Sequence, residues 1–263
     1  MKRAVDGASA ESSAGLGEEF SAVGGAGRMI PPMHGTIALL DRNELPRYSI
    51  PEAARYLRMS KATLKSWIAG RTGRGAEKSG AGLIHRPDPK SPDLSFSNLI
   101  EAHVLLGLRT GYRVKMKEVR TALEYARNAH RIDRVLLSPD LRAIRGNVFL
   151  EKMNELTNIG KGGQAAMPEI LGAYLERIEW NVKGLPVRIF PLTRSEQVDS
   201  PKILAIDPQI AFGRPVVHRR GITTSVLVER FRAGESTADL AEDYDLKVFE
   251  VEEALRYELP EAA

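Results

Sequence analysis

Two short runs of apolar residues at helical spacing lie between Tyr48 and Gly70. Each run follows a serine suited to an N-cap, Ser49 before the first run and Ser60 before the second. The apolar positions that would face a common core are Ala53, Ala54, Leu57, Leu64, Trp67 and Ile68. Two such helices joined by a short turn form a helix–turn–helix, and the pattern predicts that motif here.

The next stretch, residues 71–90, is rich in glycine and has no helical period. Extended segments about a glycine tip form a β-hairpin, so we expect a wing beside the two helices. The pattern then predicts a helix that Ser97 caps and Gly111-Tyr112 ends, and another from about Met116. Together these elements predict a winged helix–turn–helix over residues 46–130.

The middle of the chain, residues 131–195, mixes short apolar runs with turn residues and predicts a small α+β region. We expect a helix there from Pro168 to about Trp180. After the turn at Lys183-Gly184, the run LPVRIFPL predicts a strand.

The C-terminal segment, residues 203–259, predicts a short β-hairpin around 213–222 followed by three helices. Ser236 and Asp239 have the spacing of a capping box at the start of the second helix. The apolar positions expected to face inward in this segment include Leu227, Phe231, Val248, Val251 and Leu255.

The N-terminal residues 1–34 are dominated by glycine, alanine and serine, which predicts a disordered tail. The predicted fold class is therefore mainly α. It combines an N-terminal winged helix–turn–helix, a small α+β middle region, and a C-terminal three-helix unit with a short β-hairpin. The predicted segments are 1–34, 46–130, 131–195 and 203–259.

The net charge of +4 conceals two opposite blocks. Residues 47–90 carry a net charge of +7, whereas residues 229–263 carry −7. A positive block attracts polyanions and a negative block is repelled by them. We therefore expect nucleic acid to contact the first block and not the second.

The composition excludes several classes of metal site and catalytic site. The chain has no cysteine and five scattered histidines, so we expect no metal and no other cofactor. GKGGQ at 160–164 lacks the spacing of a nucleotide-binding loop, and Glu176 and Glu179 have no accompanying nucleophile, so we do not expect an enzyme. The apolar runs are too short to cross a bilayer and the N-terminus has no signal core, which predicts a cytoplasmic protein without membrane contact.

The polar face of the second helix is the sharpest functional signal. Ammonium groups suit phosphates, hydroxyls suit phosphates or base edges, and the helix N-terminus attracts anions. The candidate DNA-binding residues on this face and on the predicted wing are Ser60, Lys61, Thr63, Lys65, Ser66, Arg71, Arg74, Lys78, His85 and Arg86. A solvated basic face on a protein-binding module is the alternative interpretation.

The last predicted helix has the opposite character. It carries Glu250, Glu252, Glu253 and Glu258, which a phosphate backbone would repel. A solvated acidic surface is one interpretation. The other is a functional surface, either for a protein partner with a basic surface or for electrostatic mimicry of nucleic acid, and we favour a protein-interaction module.

Two parts of the chain resemble known families. Residues 48–70 followed by GYRVKMKEVRTAL at 111–123 resemble the winged helix–turn–helix of MerR-like regulators. The segment 206–257 resembles a trihelical domain of small bacterial antitoxins. The residues that carry this second resemblance are Gly213-Arg214-Pro215, Gly221-Ile222, AGES at 233–236 and Asp243-Tyr244. With IEWNVKGLPVRIFPLTR between the two parts, the chain is similar to the larger VapB-type antitoxins.

The resemblance implies an antitoxin of a type II toxin–antitoxin system, which silences a PIN-like ribonuclease toxin and represses its own operator DNA. A homodimer is expected because one reader helix covers only a half-site. Many VapB proteins insert an arginine into the toxin from a C-terminal tail, whereas this chain ends in the acidic RYELPEAA. The candidate residues for partner binding or dimerisation are therefore Arg214, Pro215, Arg219 and Arg220.

Two other functions stay open at this point. One is a stand-alone MerR-like transcriptional regulator with a ligand-sensing region at 130–195. The other is an enzyme in that same region, which a pocket lined by convergent titratable groups would reveal.

Overall fold

A computed structural model describes residues 42–69, 82–88, 90–112, 115–132, 134–138, 141, 153, 171–194 and 200–259. This part of the chain is mainly helical and holds two small antiparallel sheets, so the predicted mainly α fold class is confirmed. All of it belongs to one compact unit that extends from Gly35 to Ala263. The segment boundaries 46–130, 131–195 and 203–259 stay predictions, and the predicted tail at 1–34 lies outside the described residues.

The two predicted N-terminal helices are present. Helix α1 spans Ile50–Tyr56 and α2 spans Lys61–Ala69, and the two pack together. A capping box begins α1, because Ser49 and Glu52 each accept the backbone N–H of the other. At the start of α2 the Ser60 hydroxyl accepts the amide of Thr63 at 3.1 Å. Both caps are local, which is why the sequence pattern located these helices.

Helix α3 spans Phe96–Tyr112 and is longer than predicted at both ends. Its cap is a reciprocal pair in which Asn98 N–H donates to the Ser95 hydroxyl and Ser95 N–H donates to Asn98 Oδ1, each at 3.2 Å. The expected cap at Ser97 is therefore wrong. Gly111 does not end the helix, because glycine lowers helix stability without removing a backbone donor. Helix α4 follows at Met116–His130, as predicted.

Residues 82–88, where one arm of the wing was predicted, contain no strand. Leu83 and Ile84 are buried, and their amides donate to the Trp67 carbonyl of α2 at 2.6 and 3.1 Å. The rest of that arm and the glycine tip lie outside the described residues. Leu94, on the return path, forms an isolated antiparallel bridge with Tyr48.

The described middle region contains a 3₁₀ turn at Val135–Leu137 and a hairpin of strands β1, Ile178–Trp180, and β2, Pro186–Ile189. Residues 171–175 are helical, so the helix expected to reach Trp180 ends earlier. The physical reason lies at Arg177. Its buried guanidinium donates to three backbone carbonyls, those of Phe190, Pro191 and Ser200, at 2.7, 3.0 and 2.7 Å, which ties the chain into the hairpin.

The C-terminal segment has the predicted hairpin and three helices, with one further strand. The strands are β3 at Leu204–Ala205, β4 at Val216–Val217 and β5 at Ile222–Thr223, in the order β3-β4-β5. The helices are α5 at Thr224–Arg232, α6 at Thr237–Asp243 and α7 at Val248–Glu258. The capping box of Ser236 and Asp239 is confirmed. Phe231 and Val248 are 38% and 42% exposed, so their predicted burial is wrong.

The apolar core forms one large cluster and two smaller ones. The large cluster joins α1–α4 to the middle region, and a second one lies within the C-terminal segment around Leu227, Leu240 and Val251. Strand β2 meets the C-terminal sheet through an antiparallel bridge between Ile189 and Ile206, whose two backbone hydrogen bonds are 3.0 and 2.9 Å long. Among the helices described here, none combines the length and the apolar character needed to cross a bilayer.

Candidate nucleic-acid and partner interfaces

Two lysines define the outer face of α2. Leu64 and Trp67 are buried on the opposite side of the helix, whereas Lys61 and Lys65 are exposed. Neither ammonium group has an ion-pair or hydrogen-bond partner within the described residues. Both positive charges are therefore available to an external anion, as the helical spacing predicted.

The three predicted hydroxyl residues at the start of α2 and within it, Ser60, Thr63 and Ser66, form hydrogen bonds within the chain. Ser60 donates to the Thr63 hydroxyl at 2.8 Å, and Ser66 donates to the Thr63 carbonyl at 2.7 Å. These hydrogen bonds order the first two turns of the helix. Because these hydroxyls already have hydrogen-bond partners, they are less available as donors to an external ligand. Their hydrogen bonds instead fix the positions of the side chains.

Arg109 on α3 belongs to the same surface, although the sequence pattern did not single it out. Its Nη1 donates to the Thr63 hydroxyl at 3.0 Å, and its side chain is exposed. The surface defined by Lys61, Lys65, Thr63 and Arg109 is called the α2 face below. Arg109 and Thr63 are 46 positions apart, and no local signal indicates that they meet.

The described part of the predicted wing contributes differently from expectation. The His85 side chain is exposed while its carbonyl accepts Asn98 Nδ2 at 3.0 Å, and the Arg86 guanidinium donates to the Ser91 carbonyl. Both hold the chain after α2 in place. Arg71, Arg74 and Lys78 lie outside the described residues.

His85 and Arg86 also line a cavity of about 620 Å³ behind α2. Its lining also includes Arg134, which forms ion pairs with Glu101 at 2.9 Å and with Glu44. Burial alone would lower the pKa of Arg134, but the two carboxylates outweigh it and the pKa is raised. The guanidinium is therefore a fixed positive charge compensated inside the cavity.

The arginines predicted for partner binding differ in their surroundings. Arg219 contacts the buried carboxylate of Glu250 at 3.1 to 3.3 Å, and Arg220 pairs with Asp245. These pairs attach the β4–β5 turn to the start of α7. Arg214 is exposed and its guanidinium has no partner among the described residues.

Pro215, the remaining predicted partner residue, is buried. Its carbonyl accepts the Thr224 amide at 3.0 Å and the Thr224 hydroxyl at 3.3 Å, which fixes the entry to α5. The assignment of Arg214, Pro215, Arg219 and Arg220 to a partner surface stays a prediction. Among the four, Arg214 has the geometry of a free contact residue.

Helix α7 is less of a free acidic surface than its composition suggests. Glu250 and Glu253 are 7% and 4% exposed, and each is paired with arginine. Burial raises the pKa of Glu250, but Arg219 together with the backbone amide and charge of Lys247 more than offsets this and the pKa is lowered, so the carboxylate stays ionised. Glu258 pairs with Arg55 of α1, which leaves Glu252 as the exposed acid of the four.

Helix α7 packs against α1. Tyr257 donates to the Tyr56 carbonyl at 2.8 Å, and Arg58 donates to the Arg256 carbonyl at 2.7 Å. The Arg58 guanidinium also lies 5.7 Å from the Tyr257 ring centre. These interactions use the C-terminal end of α1 and the turn that follows it, while the lysines of the next helix stay exposed.

No group of three His, Cys, Asp or Glu residues with the geometry of a metal site occurs in the part of the chain described here. The buried histidine, His103, donates from Nε2 to the Tyr174 carbonyl at 3.0 Å and is 1% exposed. Burial lowers its pKa from 6.5 to about 4, so it is a neutral core residue at physiological pH.

Comparison with known proteins adds independent information. Residues 204–257 match a family described as a protein of unknown function, DUF433. The chain is 27% identical over 242 residues to a Mycobacterium tuberculosis protein named "Putative antitoxin VapB45", and the alignment covers 85% of this chain and 98% of that protein. These matches support the sequence resemblance to an antitoxin-like family for this chain.

A crystal structure of Rv2018 from Mycobacterium tuberculosis has the same fold. The TM-score is 0.58 at 23% sequence identity, and the match covers 81% of this chain and 98% of that chain. At this identity the likeness establishes the fold alone. The MerR-like character of the N-terminal region stays a prediction.

Proposed function

We propose that the chain is a DNA-binding antitoxin of a type II toxin–antitoxin system, which neutralises a PIN-like ribonuclease toxin and represses its own operator. The observation that carries this function is the alignment with the antitoxin-named relative, because it extends over 242 residues and 98% of that protein. A match of one widespread domain would leave the rest of the chain unexplained. Here 85% of the chain aligns with one relative.

The α2 face is the proposed DNA-contacting surface. Lys61, Lys65 and Arg109 place three positive side chains on the outside of α2 and α3. Helices α1 and α2, joined by a short turn, serve as the helix–turn–helix of a MerR-like unit, with α2 as the reader. Phosphate contacts by these cations position the protein on the duplex, and the early residues of α2 face the base edges.

The C-terminal segment 203–259 is proposed to bind the toxin and to mediate a homodimer. Two reader helices in a dimer would contact two operator half-sites and so raise the affinity. The exposed Arg214 is the partner-facing residue in this arrangement, while Arg219 and Arg220 hold the hairpin against α7. A cytoplasmic location follows from this proposed function.

The DNA-binding part is tested with the double variant Lys61→Ala, Lys65→Ala, with fluorescence anisotropy on the promoter fragment of its own gene. Each cation removed from a phosphate should reduce the slope of log affinity against log salt by about 1, so the double variant should reduce it by about 2. Arg232→Ala is the matched control, because it removes an exposed positive charge from α5. An unchanged slope in a folded double variant would exclude α2 as the reader.

The antitoxin part is tested by co-expression with the adjacent reading frame. We expect a stable complex to co-purify and the chain to restore growth of cells that express the toxin alone. An adjacent product that is not toxic, or that is toxic and unaffected by this chain, would contradict the antitoxin function.

A second candidate is the stand-alone transcriptional regulator, and the cavity behind α2 favours it. That cavity touches Ile68 of α2, so a ligand bound there would contact the reader helix directly. The site lies between α2 and Arg134, and not within 130–195 alone, where ligand sensing was expected. Operator binding without an adjacent toxin, altered by a small effector, would select this function.

A further inference from the structure

A second cleft lies between α1 and the short 3₁₀ turn Ala211–Gly213. It has a volume of about 270 Å³, and its lining comes from residues about 160 positions apart in the chain. The lining residues are Arg47, Tyr48, Glu52, Tyr56, Phe212, Gly213 and Arg214. Two of them, Gly213 and Arg214, belong to the Gly-Arg-Pro motif of the DUF433-type segment.

The cleft carries two arginines that form no ion pair with any carboxylate of the described residues. Arg47 donates from Nη1 to the Pro208 carbonyl at 2.9 Å but forms no ion pair among the described residues, and Arg214 has no partner there. The one acid in the lining, Glu52, is occupied at the α1 capping box, where it accepts from the Ser49 amide and hydroxyl at 3.0 and 2.6 Å. Two positive side chains against one negative side chain leave the lining with a net positive charge, which attracts an anion.

A buried hydroxyl without a partner lies at the floor of this cleft. Tyr48 is 3% exposed, and its hydroxyl has no hydrogen-bond partner among the described residues. It faces Gly213, since a Cβ added at Gly213 would lie 2.2 Å from the Tyr48 oxygen. Burial raises the pKa of this hydroxyl, so it keeps its proton and remains a donor. Unsatisfied buried donors are rare in proteins and costly, and a ligand acceptor removes that cost.

An aromatic side chain stands on the rim. Phe212 is 86% exposed and has a φ of 57°, next to Ala211 at 47° and Gly213 at 78°. A left-handed backbone is unfavourable for a phenylalanine, and so is exposure of the ring to water. The fold therefore exposes the Phe212 ring to water and keeps its backbone in the left-handed region, and neither feature stabilises the chain by itself. Backbone strain of this kind concentrates at binding sites.

We infer that this cleft binds an acidic side chain of the partner protein, with the carboxylate between Arg47 and Arg214 and an apolar neighbour packed on Phe212. This identification of the contact site rests on the proposed function, in which the partner is the toxin. Phenylalanine and arginine are both enriched at protein–protein interfaces relative to the rest of the surface. A hydrogen bond from the Tyr48 hydroxyl to the carboxylate would satisfy the donor at the floor.

A phosphate of the operator would also suit the two arginines, but the cleft favours a protein. The exposed Phe212 would face the hydrated DNA backbone without a partner, whereas a protein can offer it an apolar neighbour. The α2 face already offers three cations, and none of them belongs to this cleft.

The direct test uses two blocked dipeptides on the full chain, acetyl-Leu-Glu-amide and its glutamine counterpart, with inorganic phosphate as the third probe. Binding is followed by NMR through the backbone amides of Gly213 and Arg214. We expect the glutamate probe to bind at least tenfold more tightly than the glutamine probe. Arg214→Ala should remove that difference, and Arg232→Ala should retain it. Arg214 is exposed and unpaired among the described residues, so its removal should not affect folding.

Equal binding of the glutamate and glutamine probes, or no binding of either, would overturn the assignment of the cleft. Phosphate binding as tight as that of the glutamate probe would overturn it in favour of a nucleic-acid contact. A second experiment measures the affinity of the chain for the toxin. Phe212→Ala and Arg214→Ala should each lower this affinity at least tenfold. Val182→Ala, which removes a fully exposed apolar side chain, is the control and should not lower it.

The two proposals fail separately. If the glutamate probe binds as expected and no toxin associates with the chain, the antitoxin function fails and the carboxylate site stands. If the toxin is neutralised equally well by the wild type and by both cleft variants, the antitoxin function stands and the cleft is not its contact site.

Discussion

The hydroxyl of Tyr257 donates a hydrogen bond of 2.8 Å to the carbonyl oxygen of Tyr56, and so joins α7 to α1 across 201 positions of the sequence. Both side chains are buried, and burial raises the pKa of both hydroxyls. Beside this bond, Arg55 pairs with Glu258. The proposed DNA-binding helix pair and the proposed toxin-binding segment therefore share a packed boundary.

Removing that bond should destabilise the whole chain. Tyr257→Phe leaves the buried Tyr56 carbonyl without its partner, which costs about 1–3 kcal/mol of unfolding free energy. Urea denaturation followed by circular dichroism measures the change. Unfolding in two separate transitions, with the N-terminal helices unaffected, would show that α7 does not support α1.

Gly213 should be less tolerant of a side chain than other glycines with positive φ. An alanine there has a φ of 78° and a Cβ 2.2 Å from the Tyr48 hydroxyl, whereas at Gly234 the φ is 103° and nothing lies within 4 Å. Gly213→Ala should therefore cost about 1–3 kcal/mol more than Gly234→Ala, because overpacking adds to the backbone strain. Thermal or urea unfolding measures both variants.

The Tyr48 hydroxyl is the atom responsible for that difference. Adding Tyr48→Phe to Gly213→Ala removes the closest atom and leaves the ring carbon at 3.1 Å. The double variant should recover part of the stability that Gly213→Ala removes, and a double-mutant cycle measures the coupling. Strictly additive effects would show that the hydroxyl and Gly213 do not interact.

Arg109 should contribute to DNA affinity through charge and through its bond to Thr63. Arg109→Ala removes a positive charge from the α2 face, and we expect the salt dependence of operator binding to fall by about 1 in slope. Thr63→Val, which removes the acceptor but keeps the charge, should change the slope little. A larger change of slope in Thr63→Val than in Arg109→Ala would contradict the expectation that the charge of Arg109 sets the salt dependence.

His103 should make the chain less stable in mild acid. Its pKa is about 4 in the fold against an ordinary value of 6.5, so the unfolded chain binds the proton first as the pH falls. The stability it contributes is fully present above pH 6.5 and is lost between pH 6.5 and 4. The pKa shift corresponds to a decrease in the free energy of unfolding of about 3 kcal/mol at most. The ring bonds to the Tyr174 carbonyl through Nε2–H, so the neutral form fits the site.

The measurement is urea unfolding from about pH 7.5 to about pH 4.5 for the wild type and for His103→Gln. The glutamine keeps a donor but does not titrate, so the steep decline below pH 6.5 should become shallower in the variant. Identical pH dependence of the two proteins would place the acid sensitivity elsewhere.

The α2 face illustrates how far sequence reasoning reaches. The spacing of Leu64 and Trp67 already implied that Lys61 and Lys65 point outward, because residues three or four apart share a helix face. Arg109 was missed since its hydrogen bond to Thr63 depends on how α3 crosses α2. The same limit applies to the cleft, where Arg214 was a candidate but its other lining residues were not.

Charge proved the least transferable signal. The acidic composition of α7 suggested a solvated surface or a basic partner, yet Glu250 and Glu253 are buried against arginines of this same chain. Arg219 and Arg220 were candidates for an outside partner and have partners inside. The sequence gives the number of charged residues, but the pairing of acidic with basic side chains depends on the tertiary structure.

The amino-acid sequence by itself determined the helices α1 and α2, the hairpin and three helices of the C-terminal segment, and the capping boxes, because each depends on residues a few positions apart. The tertiary structure alone decided that Tyr257 meets Tyr56, that Arg109 meets Thr63, and that Arg47 and Arg214 line one cleft without an ion pair among the described residues. Those outcomes depend on the packing of elements up to about 200 residues apart, where local periodicity and net charge carry no information.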